Sequence, residues 1–183
     1  SLGYAVMDKP AATGLTSSWN LGYSYFKEHG YDYLIIANND ILVPRQAIGK
    51  MQHLLSLYPF MLPSTTLAGA GHNPPQALSN SCGLPPHLEA LADEPSSYQR
   101  VQDMLPALCG GGPPYARQPG GKKFGGFFFG LRAPEVHGME FSPGALFDPS
   151  NALFGQENSL LGKLDELGVD TVFSKELFVY HYK

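Results

Sequence analysis

Residues 33–44, YLIIANNDILVP, decide the fold. Tyr33 to Ala37 form a short, continuous apolar run, the pattern of a strand covered on both faces. The run stops abruptly at three polar residues, Asn38, Asn39 and Asp40. Upstream, Leu15 to Glu28 is expected to be a helix, with Thr16, Ser17 or Ser18 available as caps and Gly30 as its stop. Downstream, Pro44 stands near the first turn of a second helix, with Ala47, Ile48, Met51, Leu54 and Leu55 on one face. Helix, interior strand, helix predicts an α/β domain with a mainly parallel sheet flanked by helices.

Farther along the chain the texture changes. Gly69 to Gly121 holds nine of the 16 prolines and eight of the 21 glycines, a density that breaks regular structure. This stretch, 69–121, reads as a loop carrying one short helix around Tyr98 to Leu108. Order then resumes. Phe127 to Arg132 is expected as a strand, Gln156 to Leu167 as a helix stopped by Gly168, and Thr171 to Tyr180 as one or two further strands. The aromatic cluster Phe124, Phe127, Phe128 and Phe129 is assigned to the core, as are Trp19, Leu15 and Phe26 at helical spacing. There is no internal repeat, and 1–183 is read as one domain.

Composition narrows the function classes. The chain is 43% hydrophobic and 15% charged, ordinary for a folded protein, so disorder is not the default. A net charge of -4 argues against nucleic acid as a partner, since that requires a basic face. No apolar run approaches the roughly 20 residues that span a bilayer, and Ser1 to Pro10 lacks the features of a signal peptide. Cys82 and Cys109 lie in the same Pro/Gly-rich stretch. One disulfide is open to them, but without a repeated spacing idle free thiols are the expectation, and the compartment stays open.

The chemistry starts where the strand of 33–37 ends. Ligands of open α/β sheets bind at the carboxyl ends of strands. Asp40 there offers a hard oxygen for Mg²⁺ or Mn²⁺, while Asn38 and Asn39 offer amides to a ribose, a phosphate or metal-bound water. An Asn/Asp turn between strand and helix, needing no ligand, accounts for the same residues equally well.

A wider pattern surrounds this turn. The stretch from Gly14 to Pro44, GLTSSWNLGYSYFKEHGYDYLIIANNDILVP, resembles the central block of family-two glycosyltransferases. Those have a Gly-x5-Asn-x-Gly helix start followed by an apolar strand ending in an Asp-x-Asp-type metal motif. Gly14, Asn20 and Gly22 stand in the helix part, and Asn38-Asn39-Asp40 stands where the metal motif belongs, in a form similar to that of rhamnosyltransferase-like members. The resemblance implies a metal role for Asp40 and donor-binding roles for Asn20, Asn38 and Asn39. A second block, Phe124 to Gly168, is similar to the acceptor-side segment of the same family, with Phe147-Asp148 at its turn and Gln156-Glu157-Asn158 at its acidic pair. The family's usual base is an Asp where Asn158 stands, and an amide cannot take a proton, so the resemblance leaves Glu157 as catalytic base. As a bland alternative, Glu157 merely complements the dipole of its helix. The ending VYHYK resembles the strand where some members place a histidine near the metal, which makes His181 a second ligand.

The resemblance implies a partial GT-A domain. Family members begin earlier, with strands that hold the nucleotide, so the chain by itself is expected to be inactive and to associate through an exposed sheet edge. The implied partners are a nucleotide-sugar donor and a carbohydrate or other hydroxyl acceptor. Two other readings stand beside it. One is a degenerate homologue that binds sugars or proteins without catalysis, suggested by the amides at Asn38 and Asn158. The other is a sugar-phosphate nucleotidyltransferase on a related sheet.

Overall fold

The computed structural model describes residues 7–8, 14–64, 76–78, 82, 86–109, 115–118, 124–151 and 155–182. Helix α1 spans Leu15–Glu28 and buries Trp19, Tyr23 and Phe26 on one face. Its N-cap is Gly14 rather than a hydroxyl residue, and no side chain caps the first turn. Thr16 faces inward instead, where its hydroxyl donates to the Asn151 carbonyl. Gly30 closes the helix in the left-handed region, at φ 64°. Strand β1, Tyr33–Ala37, follows, then the short β2, Ile41–Leu42, and helix α2, Ala47–Leu57. Ala47, Met51, Leu54 and Leu55 are buried as the helical spacing requires, whereas Ile48 is exposed.

The chain continues through β3, Phe60–Ser64, into the Pro/Gly-rich stretch, whose described part is more regular than its composition suggests. Besides the expected helix at Tyr98–Leu108, here α4, it holds helix α3, Pro86–Ala92, and strand β4, Tyr115–Gln118. Prolines at helix starts and turns are compatible with short elements, so their density alone marks boundaries rather than the absence of structure. Next come β5, Phe128–Arg132, helix α5, Ala133–His137, helix α6, Gln156–Glu166, and strands β6, Thr171–Phe178, and β7, Tyr180–His181. No helix among the described residues is long and apolar enough to cross a membrane.

The sheet is mixed, which corrects the expectation of mainly parallel strands. Its order is β1-β5-β3-β6-β4, and β2 and β7 form a separate ribbon. Among the described strands only β3 and β6 run parallel; β5 is antiparallel to both β1 and β3, and β4 is antiparallel to β6. A second correction follows. Strand β1 is covered on both faces but, among the described strands, lies at the edge of this sheet, not inside it. Leu34 and Ile36 belong to the cluster beneath α1, while Tyr33 and Ile35 pack on the cluster beneath α2. Cover on both faces is a property of layers, and says nothing about neighbours within the sheet. Gly130 of β5 is where α2 comes closest: a Cβ there would fall 2.7 Å from Leu55 Cδ1 and 2.9 Å from Met51 Sδ.

A third cluster joins α3 and α4 to the end of β6 through Leu78, Val101, Leu105, Phe178 and Tyr180. Cys82 and Cys109 flank it and form a disulfide, which corrects the expectation of idle thiols. Sequence spacing carries no record of this approach, because the two cysteines are brought together by the α3–α4 turn. Buried Gln102 locks α4 to β6, donating to the Glu176 carbonyl at 2.9 Å and accepting from the Phe178 N–H at 2.9 Å.

Candidate functional site

The end of β1 is built by backbone pairing. Asn38 N–H donates to the Phe127 carbonyl at 2.8 Å, extending the β1–β5 ladder by one residue. The chain then turns through Asn39 into β2, whose Ile41 is opposite His181 of β7. Tyr182 N–H donates to the Asp40 carbonyl at 2.9 Å, closing the ribbon. These bonds bring His181 beside Asp40, with Nε2 3.4 Å from Oδ2. The imidazole also stacks on Phe127, ring centroids 4.6 Å apart and planes within 15°. The Asp40 carboxylate is half exposed, and the His181 ring is mostly covered.

Two polar atoms in this group are buried without a hydrogen-bond partner among the described residues, Asn38 Oδ1 and His181 Nδ1. An unpaired buried polar atom costs on the order of 1–3 kcal/mol, so Asn38 Oδ1 marks a place where a donor would be stabilising, and His181 Nδ1 one where a donor or an acceptor would be, according to the tautomer. Asn39 is exposed.

Glu157 stands at the start of α6. Gly155, at φ 90°, caps α6, and Glu157 lies in the first turn, where its charge complements the helix dipole. Its side chain lies against the backbone of Gly126: a Cβ on Gly126 would fall 2.5 Å from Glu157 Oε1 and 2.7 Å from Cγ. Gly126 directly precedes Phe127, the ring under His181, so Glu157 and His181 lie against consecutive residues of one turn; among the described residues Glu157 is not grouped with Asp40 and His181 around a common point. No hydrogen bond or ion pair engages the Glu157 carboxylate among the described residues. Asn158 points to solvent.

That turn is held firmly from below. Buried Gln76 accepts from Gly125 N–H at 2.7 Å and donates to the Pro63 carbonyl at 3.3 Å. The start of α6 is tied to α1 by Gln156, which donates to the Thr16 hydroxyl at 2.8 Å. Sequence reasoning passed over Gly126, Gln76 and Gln156, and assigned Phe127 to the core alone. The Gly125-Gly126 pair ahead of an aromatic strand is the one signal that pointed to a close approach.

Asn20 does not join the group. Its amide clamps a backbone unit, Nδ2 donating to the Phe147 carbonyl and Oδ1 accepting from Phe147 N–H, both at 2.9 Å. This bond pair holds α1 against the segment that carries Asp148. Asp148 itself accepts from the backbone and hydroxyl of Ser150, and these bonds hold its carboxyl below the usual range.

The donor set at Asp40 and His181 is one carboxylate oxygen and one imidazole nitrogen. Among the described residues no cluster of three or more His, Cys, Asp or Glu side chains is arranged around a common point. A closed zinc-type site is therefore not formed by these residues. The Asp40 carboxylate suits a hard ion such as Mg²⁺ or Mn²⁺, which keeps waters and phosphates as its other ligands, whereas the imidazole of His181 is the softer donor of the two and does not favour Mg²⁺. Compared with protein-family models, curated proteins and solved structures, the chain matches none.

Proposed function

We propose that this protein transfers a sugar from a nucleotide diphosphate donor to a hydroxyl acceptor, and that its sheet is part of a GT-A domain. One observation carries the reading: Asp40, His181 and Asn38 gather at the end of β1, around the same turn against which Glu157 lies. Asn38 Oδ1 and His181 Nδ1, buried and unpartnered among the described residues, favour a ligand at that place.

In this reading Asp40 and His181 hold Mg²⁺ or Mn²⁺, and Asn38 and Asn39 hydrogen-bond the donor. When bound, the ion neutralises charge that develops on the departing diphosphate. Glu157 accepts the proton of the acceptor hydroxyl as its oxygen bonds to the anomeric carbon. The bond from that carbon to the diphosphate oxygen breaks on the opposite side, so the configuration inverts. The ring passes through a state of oxocarbenium character, as in glycoside hydrolysis. Gly126 contributes by lacking a side chain, which leaves Glu157 its place over the turn.

The test is release of nucleoside diphosphate from uridine- and deoxythymidine-diphospho-sugars by the full-length protein with Mn²⁺ present. Glu157→Gln is expected to keep donor binding and lose about 10²- to 10⁴-fold in turnover. Asp40→Asn is expected to remove the metal dependence. Full activity in the Glu157→Gln protein would move the base to Asp148. A non-catalytic sugar- or protein-binding role is the second reading, favoured by the solvent-facing amide of Asn158. Asn158→Asp separates the two: activity rises in a weakened catalyst and stays at zero in a binding protein.

A further inference from the structure

Away from the strand-end group, a depression of about 440 Å³ is lined by Arg45, Gln46, Gly49, Lys50, His53 and Glu176. Gln46, Gly49, Lys50 and His53 are spaced i, i+3, i+4 and i+7, so they share one stripe of α2 beside the stripe that packs into the core. The depression has a volume within the range of about 300–1,000 Å³ typical of small-molecule sites.

Its centre is a glycine that the fold does not require. Gly49 lies inside α2, its φ is not positive, and a Cβ there would meet nothing within 4 Å. Glycine inside a helix costs about 1 kcal/mol relative to alanine, and here no close approach offsets that cost. What the missing side chain does provide is open space in the lining of the depression.

The rim is cationic. Arg45 and Lys50 form no ion pair among the described residues, and neither does His53. The one carboxylate in the lining is exposed Glu176. The neighbouring Asp103 is engaged by two amides, from Gln46 at 3.2 Å and Gln99 at 3.0 Å. Gln99 also accepts from the Arg45 backbone N–H at 3.1 Å, which fixes the root of that side chain. A guanidinium, an ammonium and an imidazole around one depression supply donors on several sides, as the oxygens of a phosphate group require.

We propose that this depression is a binding site for a small phosphomonoester, separate from the strand-end group and independent of the sugar-transfer reading. Phenyl phosphate is the probe, titrated by calorimetry into the whole chain, with inorganic phosphate and phenol run alongside. Saturable binding with a Kd of about 1 mM or tighter is expected for phenyl phosphate, weakening as salt is raised. Phenol should not bind. Lys50→Ala and Arg45→Ala, both surface changes, should each weaken binding about tenfold, the loss of one charge-assisted contact. Gly49→Leu fills that space with a good helix former and should abolish binding while circular dichroism stays unchanged. Absence of saturable binding overturns the proposal. So does affinity for phenyl phosphate that is the same in the Gly49→Leu or Lys50→Ala protein, or equal affinity for phenol.

Discussion

Opening the Cys82–Cys109 bond should cost this protein between about a quarter and two thirds of its stability, and the size of the loss follows from the length of the loop it closes. The two cysteines are 27 residues apart in sequence. Closing a loop of that length removes about 12 cal/mol/K of entropy from the unfolded chain, or about 3.5 kcal/mol at 25 °C. Total stabilities of domains are about 5–15 kcal/mol, so the loss is large but leaves the fold standing. For a chain of this size it corresponds to a fall in Tm of roughly 7–14 °C. Trp19, the single tryptophan, is buried in the core and reports unfolding by its fluorescence. Urea titrations would compare the oxidised protein, the reduced protein and the Cys82→Ser/Cys109→Ser double variant. Reduced and doubly substituted forms should unfold at the same, lower urea concentration. A loss below about 1 kcal/mol would refute the loop-entropy reasoning. Two titratable thiols in the unfolded, unreduced protein would refute the pairing itself.

Three further outcomes test the packing around the site and the sheet. Gly126→Ala places a methyl where Glu157 now lies, and should turn the carboxylate away from the turn; a crystal structure of the variant with Glu157 unmoved would contradict this. Gly130→Ala drives a methyl into Leu55 and Met51 and should cost about 1–3 kcal/mol by overpacking, measured by urea unfolding. The third concerns Glu140. Its carboxyl is held below the usual range, first by the hydrogen bond from Lys27 and then by that from the buried Tyr23 hydroxyl, whose own pKa is raised chiefly by burial. A depressed folded-state pKa contributes stability above the unfolded value, about 4.5, and that contribution disappears as pH falls through the folded value. Wild type should therefore exceed Glu140→Gln by about 1 kcal/mol or less at neutral pH, and the gap should close in acid. A gap that widens on acidification would reverse the sign.

The elements were legible where periodicity is long or punctuation is sharp. Residues Leu15 to Glu28 carry a complete apolar stripe and end at a glycine, and Tyr33 to Ala37 end at three polar residues, so α1 and β1 have the bounds the sequence suggests. Strand direction was not legible. An apolar run such as FFGLR reads the same whichever way it pairs, and β5 returns through a long connection to lie between β1 and β3. The structural glutamines were hidden for a related reason. Gln76, Gln102 and Gln156 are buried because each satisfies a backbone group or hydroxyl distant in sequence, and no local pattern announces that partner. At the candidate site, Asp40 and His181 were marked separately by their motifs. Their approach depends on the β2–β7 ribbon, which neither motif describes.

That ribbon is only two residues deep on each side, and it joins positions 41 and 42 to positions 181 and 180. Long-range closures of this kind cost loop entropy before any contact offsets it. The Asp40–His181 pair is thus a late product of folding. An intermediate that has packed the core around Trp19 but has yet to dock β7 lacks the pair altogether. Fluorescence recovery and recovery of the site are then separate clocks in a refolding experiment, and the second runs slower.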